Sequence, residues 1–123
     1  PTTWPGARLP HFWVDRAGVR VSIHDVLSPD GYTLLTSPEA KPAWQAGLAA
    51  VRPCVPMPIS CVSVAKQGNP DVRDLDGAWA RLSEVGDRGA VLVRPDAHVA
   101  WRAAQLPDSP RQVLNKVLGR LTF

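Results

Sequence analysis

Two thiols and three imidazoles, each imidazole with a carboxylate close by in sequence, are the residues of this chain whose types could do chemistry. Dithiol exchange requires two cysteines separated by two residues at the start of a helix, where the helix end lowers the thiol pKa. Cys54 and Cys61 have six residues between them, which is neither that redox pair nor half of a zinc site. They read as structural thiols, because free cysteine is among the most buried residue types. His11, His24 and His98 lie near Asp15, Asp25 and Asp96, and a histidine beside a carboxylate is a common general base. Adjacent His24 and Asp25 point apart, however, and Asp96 falls in a turn where its side chain bonds backbone. No catalytic residue is therefore expected. No pair of the histidines has the i, i+4 spacing of a helical metal site, so no metal is expected either. A dinucleotide cofactor held by these residues would need a glycine-rich GxGxxG turn between a strand and a helix; the chain has none.

The tryptophans ask for a different explanation. Trp44 and Trp79 fall on predicted helix faces and Trp101 on a predicted strand, where packing accounts for them. Trp4 and Trp13 lie in the first eighteen residues, PTTWPGARLPHFWVDRAG, whose prolines and glycines predict an extended connector. Aromatics in a free tail are costly, so this segment is expected to lie against a surface, its own or a partner's.

The elements that must position these residues follow from periodicity and caps. VRVSIHDVL from Val19 predicts a short strand and one helical turn, SPDG at 28–31 a turn, and Tyr32 to Thr36 a buried strand. Pro42 suits a first helical position, with Trp44, Leu48 and Val51 at helical spacing before Pro53. ISCVSV, Ile59 to Val64, is β-branched and short, a second buried strand. Asp76 is expected to cap a helix lined by Leu75, Trp79 and Leu82 and stopped by Gly86. In GAVLVRPDAHVAWR two apolar runs are joined by Arg94, Pro95, Asp96 and Ala97, which predicts a hairpin with a type I turn. Ser109, Pro110 and Gln112 form a capping box before the stripe Val113, Leu114, Val117, Leu118, Leu121.

The 123 residues suit one domain: 45% apolar and 20% charged is near the globular average. A net charge of +3, with arginines interspersed among Asp and Glu, gives no basic stretch that would predict nucleic-acid binding. No apolar run approaches the roughly 20 residues needed to span a bilayer. A soluble, cytoplasmic protein with neither nucleic-acid nor membrane partners is the expectation. The boundaries expected are an extended N-terminal linker over 1–18 and a folded domain over 19–123. The order strand, helix, strand, helix, strand, strand, helix is that of an α/β thioredoxin-like fold, a mixed β-sheet flanked by helices. Where such a fold carries its redox cysteines, just after the first core strand, this chain has Ser37, Pro38 and Glu39.

Three segments carry a resemblance: PGARLPHFWV, HDVLSPDGYTLLT and, most specifically, DGAWARLSEVGDRGAVLVRPDAHVAWR. They resemble the C-terminal thioredoxin-like domain of FAD-dependent aromatic hydroxylases, the group of phenol hydroxylases, 2,4-dichlorophenol hydroxylase and aromatic polyketide hydroxylases. The resemblance implies a non-catalytic accessory domain, without redox cysteines, with a structural or oligomerisation role in a flavin monooxygenase. FAD and NAD(P)H are then implied for the parent enzyme and not for these residues. The preceding FAD and substrate domain is the implied partner, with a homo-oligomer as a further one. Arg8 and His11 match the PGxRxPH pattern, where they either contact the preceding domain or fix the linker, and with Trp4 and Trp13 they make up the candidate interdomain or subunit interface. One departure is physical: the family typically has glycine where this chain has Ala97, a turn position that needs a left-handed residue and at which alanine costs roughly 1 kcal/mol. The alternative reading is an independently encoded thioredoxin-like module that binds a protein partner or itself.

Overall fold

The computed structural model describes residues 2–120. The N-terminal third supplies β1 (Trp13–Arg16), β2 (Val19–Ser22) and a 3-10 turn, Ile23–Val26. There follow β3 (Tyr32–Thr36), α1 (Lys41–Val51), a 3-10 turn over Arg52–Cys54, β4 (Ile59–Ala65), β5 (Val72–Asp74) and α2 (Ala78–Leu82). The chain closes with β6 (Ala90–Val93), β7 (Val99–Ala103) and α3 (Pro110–Arg120).

The strands form one seven-stranded sheet in the order β2-β1-β5-β4-β3-β6-β7. At its centre β3 pairs parallel with β4 and antiparallel with β6, and β6 pairs antiparallel with β7. With α1, α2 and α3 this is the mixed-sheet α/β arrangement of the thioredoxin-like fold. Strand side chains alternate between faces, so each central strand feeds two cores. Leu34 meets Cys61 and Leu92 on one face, under α1 and α3 with Trp44, Leu48, Leu114 and Leu118. Leu35 meets Val62 and Val91 on the other, with Trp79 of α2, Phe12 and Leu9. A β3 that is buried at all five positions is the result.

Three local expectations give way to the structure. The first eighteen residues are not a plain connector: Trp13–Arg16 is a strand paired with both β2 and β5, and Leu9, Phe12 and Val14 are core residues. The β1–β2 hairpin turns on Ala17 and Gly18, both at positive φ (53° and 86°), and the Gly18 amide donates to the Asp15 carboxylate at 3.3 Å. Two successive left-handed residues match the twist of a tight hairpin, but an Ala-Gly pair is a weak signal for one. Second, β5 was not foreseen, because three residues are too short a run to show periodicity. Third, Asp74 rather than Asp76 caps α2, accepting the amides of Ala78 and Trp79 at 3.0 and 2.8 Å. The helix ends at Leu82, well before Gly86, where Glu84 takes a left-handed φ of 60°, and Leu75 is exposed instead of lining the helix face.

The last hairpin and the head of α3 follow the sequence, whereas Cys54, expected buried, is exposed. The β6–β7 hairpin closes through Arg94 to Ala97, with the Ala97 amide donating to Arg94 O at 3.0 Å and Ala97 at φ 69°. Ser109 Oγ accepts the Gln112 amide at 3.2 Å at the head of α3. Leu121, the last residue expected in that stripe, lies outside the described residues. Among the described residues no helix is long and apolar enough to cross a membrane.

Candidate functional site

The β3–α1 junction is where this fold can hold a thiol pair. Ser37 there accepts the Ala40 amide on its hydroxyl at 3.1 Å and the Lys41 amide on its carbonyl at 3.0 Å, so the side chain acts as a local cap. The cysteines sit elsewhere: Cys54 is exposed after α1, and Cys61 is half-buried in β4 beneath α1. Burial pushes the Cys61 thiol up to about 11, against the smaller opposing pull of Lys41. A thiol so displaced is protonated at neutral pH and a poor nucleophile. The same junction does not fit a dinucleotide. Pro38 has no N–H to offer a pyrophosphate, and Glu39 adds a negative charge where an anion would lie.

Residues 2–12 form a strap along one side of the sheet. At its start the Thr2 hydroxyl and the Thr3 amide donate to the Glu84 carboxylate, while the Thr3 hydroxyl donates to Ser83 O and accepts from Arg102 at 2.9 Å. Those bonds, led by that from Thr2, hold the Glu84 carboxyl below its ordinary value, with the Arg102 charge 3.7 Å away adding to them. The Arg102 guanidinium also lies 4.5 Å from the ring centroid of Trp4, a cation–π contact. Further along, the Gly6 amide donates to Val99 O and the Val99 amide to Ala7 O, both at 2.8 Å, and the Leu9 amide donates to Ala97 O at 2.7 Å. The strap therefore lies on the outer edge of the last hairpin, and Arg8 bridges to His98 there.

Arg8, His11 and Trp13 meet at the far end of the strap. His24 Nε2 is 2.7 Å from Leu9 O, which fixes the proton on that nitrogen and leaves Nδ1 facing Arg8 Nη2 at 3.5 Å. His11 Nδ1 lies 2.7 Å from Ser22 Oγ, and its ring stands edge-on to Trp13 at 4.7 Å and 6.1 Å from His24. Arg20 covers the indole of Trp13 at 4.4 Å. Of the four residues singled out in the sequence, three are thus brought together and Trp4 is kept apart, next to Arg102. Trp4 and Trp13 stay exposed, 64% and 39%, although each is stacked by an arginine.

Of the His–Asp neighbours read from sequence, the structure keeps His98 with Asp96 and separates His24 from Asp25. The Asp25 carboxylate accepts the Ser22 amide at 3.1 Å and does not orient His24. Asp96 accepts the His98 amide at 3.1 Å, as its turn position predicts, with His98 Nδ1 3.3 Å from the same carboxylate. Among the described residues no three His, Cys, Asp or Glu side chains are grouped to hold a metal ion. Sequence reasoning gave no role to Glu84, Arg102 or Arg20. Arg102 stands in the most specific motif, which was its one available signal; Glu84 is joined to Thr2 across 82 positions, a separation no local pattern reveals.

A cavity of about 400 Å³ opens at the carboxyl ends of β3 and β4, with Ser37 to Glu39 on one side and Val64, Trp79 and Val85 among its walls. Buried Ser83, whose carbonyl accepts the Thr3 hydroxyl, is among its lining residues, with Asp74, Lys66 and Asp87.

Known proteins resemble the chain over nearly its whole length. Residues 2–121 match the family model described as aromatic-ring hydroxylase, C-terminal. Phenol 2-monooxygenase of Pseudomonas sp. (strain EST1001) is 38% identical over 118 residues, 96% of this chain and 19% of the relative. Tetracenomycin A2 monooxygenase-dioxygenase of Streptomyces glaucescens is also 38% identical, over 95% of this chain and 20% of its own length. Among solved structures, aklavinone-11 hydroxylase in complex with FAD and aklavinone superposes with a TM-score of 0.84 at 35% identity, covering 98% of this chain and 21% of that one. The flavin-dependent monooxygenase PieE, in complex with FAD and substrate, gives 0.80 at 38% identity, with the same coverage. The chain spans about a fifth of the length of these relatives.

Proposed function

This chain belongs to the family of aromatic-ring hydroxylase C-terminal domains, and we propose on that footing that it is the accessory domain of a flavin-dependent aromatic monooxygenase acting on a phenol or a polyketide. The observation that carries the reading is the match over residues 2–121 to a domain that makes up a fifth of its relatives. FAD and NAD(P)H are bound by the preceding domain, and reduced flavin, when bound there, supplies the oxygen chemistry. This domain's own contribution is structural: it orders the enzyme or its oligomer, in the cytoplasm. Supporting that role, the β3–α1 junction carries a capping serine, a proline and a glutamate, a set with no thiol and no amide cradle.

The interface consists of Trp4, Arg8, His11 and Trp13. Exposed indoles held in place by arginines are the side chains that anchor protein contacts, because they bury large apolar area at low entropic cost. The preceding domain, or a second subunit, covers them.

Reading the transcript upstream of the Pro1 codon tests the assignment. A continuous frame of several hundred codons containing a GxGxxG segment is expected, and the purified product should carry flavin absorbance. A start codon directly before Pro1 would overturn the assignment and make the chain a separate interaction module.

A further inference from the structure

We propose that the bare face of β2, β1 and β5, centred on Trp13 and Leu75, docks a carboxylate-bearing surface of the preceding domain of the same polypeptide. The inference rests on the accessory-domain reading above and deepens it, by naming the face and the chemistry of its partner.

Strand alternation carries one face of the sheet from a covered half to a bare one. Cys61 and Ala65 of β4 share that face, and Cys61 lies in the core beneath α1 and α3. Ala65 pairs with Arg73, Arg73 with Asp15 and Asp15 with Arg20, so these side chains continue the face across β5, β1 and β2. Two residues along, Trp13 and Leu75 make the next row, with the Leu75 amide donating to Trp13 O at 3.4 Å. The two helices bury the face over β3, β4 and β6, but here Trp13 and Leu75 are left 39% and 40% exposed. An indole beside a leucine, with charged side chains around them, has the apolar centre and polar rim of a protein contact.

The rim selects the partner's charge. Arg20 stacks on Trp13, the Arg73 guanidinium donates to the carbonyls of Lys66 and Gly68 at 2.8 and 3.0 Å, and His11 stands edge-on to the indole. Among the described residues neither guanidinium is paired with a carboxylate. Asp15, which lies between them in the register, accepts the Gly18 amide at 3.3 Å. Carboxylates set opposite Arg20 and Arg73 therefore gain charge-assisted hydrogen bonds that the bare face lacks. A second copy is a poor match, since a two-fold contact sets the patch against itself and brings arginine to arginine. In the relatives, most of the polypeptide lies outside the matched fifth. Tethering holds that remainder at high effective concentration, which suits a patch with only two apolar anchors.

Zero-length carbodiimide cross-linking in the full-length protein tests this, because the reagent joins an amine only to a carboxylate in contact with it. Arg20→Lys and Arg73→Lys, made singly, put the amine on the face, and Arg111→Lys puts it on the exposed side of α3 as the control. Peptide mapping should find residue 20, residue 73 or both linked to Asp or Glu side chains upstream of this domain in the same polypeptide, at least about tenfold more than residue 111. Linkage between two polypeptides would overturn the proposal in favour of a second copy. Linkage to Asp15 alone, or none from either position, would overturn it in favour of a face left to solvent. Mass and flavin absorbance, measured first, separate the two levels: a flavin-free product of 13.3 kDa removes the accessory-domain reading and the docking with it, whereas a several-fold larger flavoprotein lacking these links removes the docking alone.

Discussion

Asp74, at the end of β5, accepts the amide of Trp79 at 2.8 Å and that of Ala78 at 3.0 Å, so a strand of three residues starts the helix that follows it. The carboxylate is buried, and the two N–H groups it receives have no partner inside the helix. Trp79 is thereby aimed into the core against Phe12, at a centroid separation of 6.0 Å.

Replacing this cap tests the corrected start of α2. Asp74→Ala should cost about 2 kcal/mol, the loss of a cap plus two stranded buried donors. This corresponds to a fall in Tm of roughly 6 °C or more. Asp76→Ala should stay within about 0.5 kcal/mol of the parent, as for an ordinary surface position. Equal effects of the two changes in thermal melts would contradict the structure.

Ala97 has the opposite character. Its φ of 69° costs an alanine about 1 kcal/mol, while its buried methyl contributes somewhat less than that to the core. Ala97→Gly should therefore stabilise the protein by about 0.5 kcal/mol net, a rise in Tm of roughly 2 °C. An unchanged or lowered Tm counts against the turn.

The strap should respond to acid through Glu84. Its carboxyl lies below the ordinary 4.5 because the folded state bonds the ionised form, first through Thr2 and then through Thr3. A group depressed on folding contributes fully above its unfolded value and loses that contribution as pH falls through the lower folded one. Protection of the Thr3 amide from exchange should accordingly hold at pH 6 and be lost only as pH falls below the ordinary 4.5. In Glu84→Gln the protection should be weaker at pH 6 and nearly flat with pH.

Thiol chemistry distinguishes the two cysteines. With its pKa pushed to about 11 by burial, Cys61 has roughly one thiolate in a thousand at pH 8. Exposed Cys54 should take up one equivalent of an alkylating reagent at least tenfold faster, and the second equivalent should follow only on unfolding. Simultaneous labelling of both in the folded protein would refute this placement.

The central elements were legible in the sequence because each announces itself locally. Pro42 with the Trp44, Leu48 and Val51 spacing fixes α1, and the two apolar runs around Arg94 to Ala97 fix the last hairpin. The elements that escaped depend on distant partners. Trp13–Arg16 becomes a strand because β2 and β5 flank it, and Val72–Asp74 because β4 and β1 do. Asp74 and Asp76 are equally good caps by residue type; which one reaches the helix amides is decided by where β5 ends.

The proposed interface divides in the same way. Residue type and position alone singled out Trp4, Arg8, His11 and Trp13, since aromatics in a proline-rich segment have no local packing to explain them. Their grouping came from tertiary structure, which placed Arg8, His11 and Trp13 with His24 and Arg20, and Trp4 with Arg102. By itself the sequence determined the helical and strand periodicities, the missing thiol pair and the family resemblance, all properties of neighbouring residues or of short motifs. The cavity, the strap and the left-handed Glu84 were decided only by the fold, because each arises from contacts between residues tens of positions apart, whose pairing no local propensity encodes.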